Sequence, residues 1–205
     1  MSNIFSVTPE TKTYARTEGR RRQIVAATIQ ALAEGGYAAM TFSRIREVGR
    51  LSSTRLISYH FDTKDRLAEA VVMQVVSDAA EIMRPAMDAA PDLRAKLSAY
   101  IRSNLEYLSS HPAEAIAVTE IVRGSGRPRS GEDVSVMLLS VLLSQGQHAG
   151  EFGEFDAEVM ARSIRATIDE FAYRRTLSPR DDAAEIAEIV AIYDRAAARA
   201  EGNQP

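Results

Sequence analysis

The sequence predicts an all-α protein of about nine helices, with short helices in its first third and longer ones in the body that follows. Three observations carry this expectation. Apolar residues recur at helical spacing along almost the whole chain from Arg20 onward. Residues able to cap helices stand ahead of those runs: Thr41, Ser52 or Ser53, and Thr63. No stretch alternates apolar and polar residues as a half-buried strand would.

The elements follow in order. Residues 1–16 are polar without a sustained period and are expected to form a flexible arm. Val25, Ile29, Leu32 and Ala33 make the stripe of a first helix, which Gly35-Gly36 stops because Gly accepts the left-handed conformation of a C-terminal cap. Thr41 caps a short second helix that turns Phe42, Ile45 and Val48 inward, and Gly49-Arg50 breaks it. Ser52 or Ser53 caps a third, to about Tyr59. Thr63 caps a long fourth helix. There Leu67, Val71 and Val75, with Val72 and Val76 beside them, form an arc broad enough to be buried on more than one side. Pro85 and Pro91 bracket its end.

A helix over about Asp92–Ser109 comes next. Pro112, at a first helical position, opens another with Glu114 in its first turn. "RGSGRPRSG" (123–131) reads as a solvated loop, and Ser130 with Asp133 as a capping box. The following helix, through Leu143, is apolar nearly all round and is expected deep in the body. "AGEFGEFD" (149–156) separates it from two last helices, about Ala157–Arg175 and Asp182–Arg199. Asp182 with Glu185 resembles a second capping box. The domains expected are an arm (1–16), a head (17–66) and a body (67–205).

Composition narrows the function. With 205 residues and no Cys, neither a disulfide framework nor a thiolate metal site is available. The N-terminus carries no signal-peptide pattern, and "VSVMLLSVLLS" is too short to span a bilayer. A soluble, cytoplasmic protein with no membrane partner is expected. Net charge is -3 but unevenly divided: residues 1–66 hold 11 Lys+Arg against 6 Asp+Glu, and residues 67–205 hold 14 against 22. A basic head on an acidic body suits a polyanion partner for the head and another task for the body.

"LSSTRLISYHFDTKD" (51–65) supplies the chemistry for such a partner. Two short helices around a tight turn, preceded by a longer one, make a helix-turn-helix, whose second helix lies in the DNA major groove with its N-terminal side chains at base edges. Ser53, Thr54 and Arg55 stand at that end. Arg can donate two hydrogen bonds to guanine, and Ser or Thr can pair with several bases. Tyr59 and His60, at the helix exit, suit phosphate oxygens; the alternative for them is helix-end packing. Lys64 opens the next helix, and Thr41 the second, where exposed backbone N–H groups favour an anion. Phe61 can only pack. The Arg20–Arg22 run fits a phosphate backbone or a solvated helix start equally well.

Residues 23–67 resemble the DNA-binding head of the TetR family of bacterial transcriptional regulators. The resemblance rests on Gly36-Tyr37, Thr41, Tyr59-His60-Phe61 and Lys64, in order and spacing. It departs at the turn, where Arg50 stands near an expected Gly. It continues more weakly into "GEFGEFDAEVMARSIRATIDEFA" (150–172).

The resemblance implies a helix-turn-helix DNA-binding head on a larger ligand-binding and dimerisation body. It also implies a homodimer on a near-palindromic double-stranded DNA operator, and a small-molecule effector in a pocket among the middle helices. Candidate lining residues are Met73, Tyr100, Asn104, Tyr107, Glu120, Met137, Gln147, His148, Phe152 and Asp169. Acids among them, Glu120 and Asp169, would favour a cationic or hydrogen-bond-donating ligand if buried. Ile164, Ile168 and Phe171 on the penultimate helix, with Ile186, Ile189, Val190 and Tyr193 on the last, are the candidate dimer stripe; the alternative is that they cover their own core.

His111 and His148 stand far apart with no Cys partner, so no metal site is expected. No cofactor is expected, and no nucleophile–base set supports catalysis. The function read from this is a ligand-responsive repressor. An all-helical enzyme or ligand carrier with an incidental basic head is the contrasting class, and a ligand-free architectural DNA-binding protein a second.

Overall fold

The computed structural model describes residues 9–124, 134–177 and 182–199. The described residues form helices α1 (Pro9–Gly35), α2 (Phe42–Val48), α3 (Thr54–His60), α4 (Lys64–Asp88) and α5 (Leu93–Ser110), followed by α6 (Pro112–Gly124), α7 (Val134–His148), α8 (Ala157–Leu177) and α9 (Ala183–Ala197). A single 3-10 turn, Tyr37–Ala39, joins α1 to α2. Among the described residues there is no strand, and no helix is long and apolar enough to cross a membrane. The chain divides into two compact units, Met1–Gln74 and Val75–Pro205, so the boundary falls further along α4 than the expected 66/67.

In the first unit α1 packs on α2, and α2 on α3. Its core is Ile24, Ala31, Leu32, Met40, Ile45, Ile57, Phe61, Leu67 and Val71. Two expectations change here. Helix α1 begins at Pro9, so residues 9–16, assigned to the arm, are helical. The buried face of α1 centres on Ile24, Thr28 and Ala31, while Ile29 and Ala33 are only half-buried. Burying Thr28 is tolerable because its hydroxyl donates to the Ile24 carbonyl (2.8 Å). Gly36, at φ 64°, ends α1 in the left-handed region as expected.

In the second unit, α5 packs against α7, α8 and α9, with α6 on α8. One cluster holds it: Leu97, Ile101 and Leu105 from α5, Leu139 and Leu143 from α7, and Ile164, Ile168, Phe171, Ile186 and Tyr193 from α8 and α9. Gly146 lets Phe152 fold back onto α7; a Cβ there would lie 2.1 Å from the Phe152 ring. Glu151 then accepts from the backbone N–H groups of Leu93 and Arg94 (2.7 and 3.2 Å), pinning the loop to the start of α5. Arg94 closes a two-pronged ion pair on Asp194 (2.6 and 2.8 Å), which ties α9 to the same place and holds the Asp194 carboxyl below its usual range.

Helix α4 ends at Asp88, between Pro85 and Pro91 as expected, with Pro85 inside its last turn. Three further expectations are corrected. Val76 is exposed and Val72 half-buried, while Leu67, Ala68, Val71, Val75 and Met83 of α4 are buried. Helix α7 is not deep: Val134, Met137, Leu138 and Val141 are exposed, and only Leu139, Leu143 and Gly146 are buried. Asp182 forms no capping box; its carboxylate, buried, accepts instead from the Ser109 hydroxyl (2.7 Å), and Glu185 pairs with Arg174. The Ser130–Asp133 box and most of the 123–131 loop lie outside the described residues.

Candidate nucleic-acid interface

Helix α2 starts at Thr41, whose hydroxyl accepts from the Arg44 N–H (3.2 Å). Helix α3 starts at Ser53, whose hydroxyl accepts from the Leu56 N–H (3.3 Å). Both hydroxyls satisfy a helix terminus with an oxygen lone pair, which leaves each O–H proton to donate elsewhere. Between the helices the Arg50 N–H donates to the Glu47 carbonyl (3.2 Å) and the Leu51 N–H to the Arg46 carbonyl (2.9 Å). These are the two bonds of a Schellman stop, with Leu51 buried beneath it. The result is a helix-turn-helix. Ile57 is buried, and Thr54, Arg55, Ser58 and Tyr59 are all exposed along one face of α3.

That face holds a cation, three hydroxyls and no ion pair among the described residues. Tyr59 is 79% exposed, an unusual position for a large aromatic ring, and sits edge-on to His60 at 5.2 Å. Ser58 was not foreseen from the sequence. Counting the helical face forward from Thr54 and Arg55 to 58 and 59 would have found it. Thr17 and Ser52 were not assigned to the interface either, and Arg20 had been left between two readings. With Leu56, Tyr59 and His60 they line a shallow depression beside α3, where a cation, three hydroxyls and an imidazole surround one opening.

The three arginines of the Arg20–Arg22 run separate in role. Arg20 lines that depression and donates to Gln23 (2.6 Å), which donates in turn to the Gly49 carbonyl (3.3 Å). Arg21 matches neither reading of the run: it donates to the His60 carbonyl (3.0 Å) and lies 4.4 Å over the Phe61 ring, fixing the end of α3 against α1. Arg22 is exposed. Lys64 is also drawn inward. Its ammonium lies 3.9 Å over the Tyr37 ring and donates to the Tyr37 carbonyl (3.5 Å), so one of its three donors is engaged within the protein, at the start of α4.

Burial first, then Arg21 and Arg20, holds the His60 imidazole below its ordinary pKa, so the free protein carries it neutral at pH 7. A phosphate opposite His60 would oppose the Arg21 and Arg20 charges and raise that pKa, and binding would then take up a proton. DNA affinity is therefore expected to rise as pH falls from about 8 to about 6, and His60→Gln to flatten the profile. Fluorescence anisotropy on one duplex across that range checks it; identical profiles would remove His60 from the contact set.

In the second unit the residues assigned to a ligand do not gather. Met137 and His148 are exposed, as is Met73 in the first unit. Phe152 belongs to the core, and Gln147 holds its own loop by donating to the Gly153 and Phe155 carbonyls (3.0 and 2.9 Å). Tyr107 is buried and stacked on His111 at 4.3 Å; burial, with Glu114 and Asp78, pushes its hydroxyl up to about 12. Asn104 donates to the Tyr100 carbonyl of its own helix (2.9 Å). Glu120 is half-buried on α6, and Tyr173 first, with Glu120 after it, raises the pKa of Arg123 on the same helix. What does assemble is a half-buried group on α5 and α8. Arg165 there reaches the Tyr100 hydroxyl (3.5 Å) and Asp169 (3.4 Å). Arg165 balances Asp169, so the preference for a cationic ligand drawn from Asp169 does not stand.

The assigned dimer stripe is likewise not on offer to a partner. Ile164, Ile168, Phe171, Ile186, Ile189, Val190 and Tyr193 are all buried inside the unit's own core. The Tyr193 hydroxyl is committed to the Ser163 carbonyl (2.9 Å) and Thr167 (2.6 Å). Their spacing reported burial correctly, and the surface they are buried against is their own chain.

No protein-family model matches the chain. Over 181 residues it is 29% identical to the HTH-type transcriptional regulator BetI 2 of Chromohalobacter salexigens, covering 85% of this chain and 86% of that protein. Its fold matches the fatty acid degradation regulator FadR of Bacillus halodurans (TM-score 0.72, 21% identity, 84% of this chain and 97% of that one). It also matches a TetR-family transcriptional regulator, described as putative, from Rhodococcus sp. (TM-score 0.72, 18% identity, 87% and 98%). A third match is FadR of Bacillus subtilis, solved in complex with stearoyl-CoA (TM-score 0.68, 19% identity, 84% and 96%). The fold of this chain, helix-turn-helix included, is that of the TetR-family transcriptional regulators.

Proposed function

We propose that this protein is a TetR-family transcriptional repressor that binds double-stranded DNA as a homodimer and leaves its operator when a small molecule occupies the second unit. The observation that carries the reading is the α3 face: Thr54, Arg55, Ser58 and Tyr59 exposed together on a helix whose opposite side is fixed in the core. Arg55 and Thr54 read bases. Thr41, Ser53, Tyr59 and His60, with the remaining donors of Lys64, hold phosphates. A gel shift on the DNA flanking the protein's own gene tests this. A shift that weakens with salt supports it; no shift at low salt on that DNA or on random DNA would favour the enzyme or carrier reading.

The effector belongs to the second unit, and the Tyr100–Arg165–Asp169 group is where its polar part would bind. Those hydrogen bonds are long, and a ligand group could replace them at little cost. Release by ligand requires reciprocity: whatever the effector does to operator affinity, the operator does to effector affinity by the same factor, typically about 1–3 kcal/mol. Equal effector affinities with and without operator would leave an architectural DNA-binding protein.

A helix-turn-helix generally reads two half-sites, about 34–36 Å apart or a multiple of that, so a second copy is part of the proposal. The dimer surface moves to the exposed face of α7, where Val134, Met137, Leu138 and Val141 recur at i, i+3, i+4 and i+7. Leu138 is 61% exposed, so Leu138→Asp leaves the core intact. Sedimentation is expected to give helical monomers for this variant and dimers for the wild type. A dimeric Leu138→Asp would place the interface elsewhere.

A further inference from the structure

Arg50 is the one non-glycine residue with positive φ among the described residues, at φ 47°. It occupies the left-handed position of the Schellman stop between α2 and α3, where Gly is ordinarily found because a Cβ crowds the following carbonyl. A glycine does stand next door, but it serves another need: a Cβ on Gly49 would lie 2.7 Å from the Ala27 Cβ, so Gly49 is what lets α1 approach. The chain thus places an arginine where backbone geometry favours glycine, and strain of this kind persists where the side chain has a use.

No use within the protein is in view. Arg50 is exposed, and its guanidinium makes no hydrogen bond or ion pair among the described residues. A favourable charge at the end of α2 is already supplied by Arg46 from an unstrained helical position. Arg50 does stand at the entrance to the recognition helix. It lies two residues before Ser52, which lines the depression with Arg20, Tyr59 and His60, and three before the Ser53 cap. Three Cα steps span at most about 11 Å of chain.

Resting on the helix-turn-helix reading above, we propose that Arg50 is a further DNA-backbone contact: its guanidinium binds a phosphate beside the groove that α3 enters. A guanidinium presents paired donors to a phosphate, and the left-handed turn holds it outside the α3 face, so it adds affinity without reading sequence.

The test is Arg50→Gly in the full chain, with Arg50→Lys as the conservative partner, measured by salt-titrated affinity on a preferred and a random duplex and by thermal unfolding. Each phosphate neutralised contributes a slope of about 0.9 in log affinity against log salt. A homodimer loses two, one per protomer, so both duplexes are expected to weaken about sixtyfold at 0.1 M salt and both slopes to flatten by about two. Arg50→Lys is expected to keep the slope, and Arg50→Gly to unfold at the same temperature as the wild type or above it. Unchanged affinity and slope for Arg50→Gly would overturn the proposal. So would a loss confined to the preferred duplex, which marks a base contact, or a lowered unfolding temperature, which marks a structural role. A wild type without salt-dependent DNA binding would instead overturn the regulator reading, and Arg50's part with it.

Discussion

Ile164→Asp is expected to unfold the second unit rather than to split a dimer. Ile164 is fully buried between α8 and its neighbours in the main core cluster. The substitution removes an aliphatic side chain and places a carboxylate in that apolar cluster. Loss of a buried Ile alone costs about 2–5 kcal/mol, and an unpaired buried acid adds to that. Against a typical stability of about 5–15 kcal/mol this leaves little. Circular dichroism with chemical denaturation checks it. A variant that stays folded but becomes monomeric would return the α8–α9 stripe to the interface, and Leu138→Asp gives the opposite signature.

Arg55→Ala is expected to cost about 1–3 kcal/mol on the preferred operator and almost nothing in specificity at other positions, relaxing one base pair of the site. The residue is exposed at the second position of α3 and makes no internal ion pair among the described residues, so its removal leaves the fold undisturbed. Ser58 and Tyr59 share its face, and their alanine variants separate a base edge from a phosphate by whether the loss depends on sequence. Competition between operator variants gives the readout. A loss equal on all sequences would make Arg55 a phosphate contact.

The helix starts were legible because capping is local: Thr41, Ser53 and Thr63 each accept from the N–H three residues on, as their positions implied. The helix-turn-helix was legible because its turn and both caps fall within a score of residues. Periodicity identified Ile164, Ile168 and Phe171 as buried, but period says nothing about what buries them, and the partners turned out to be α5, α6 and α7 of the same chain. Helix α7 failed for a related reason. Its composition is apolar all round, and only the packing reveals that Val134, Met137, Leu138 and Val141 face outward. Arg21 over Phe61 and Lys64 over Tyr37 join residues 40 and 27 apart in sequence, beyond any local rule. The candidate ligand residues were chosen by chemistry alone, so they scattered. Tyr100 and Asp169 met only because Arg165, which had not been singled out, stands between them.

The central claim is that α3 reads sequence while the residues around it hold phosphate. The measurement that bears on it most directly is the ratio of wild-type affinities for a selected operator and a random duplex across a salt series. Both affinities are expected to fall linearly in log–log form, with the operator preferred by about 10³-fold or more at every salt. Equal affinities that fall together would mean a basic head that binds any polyanion, and would contradict the assignment of Thr54 and Arg55 to base recognition.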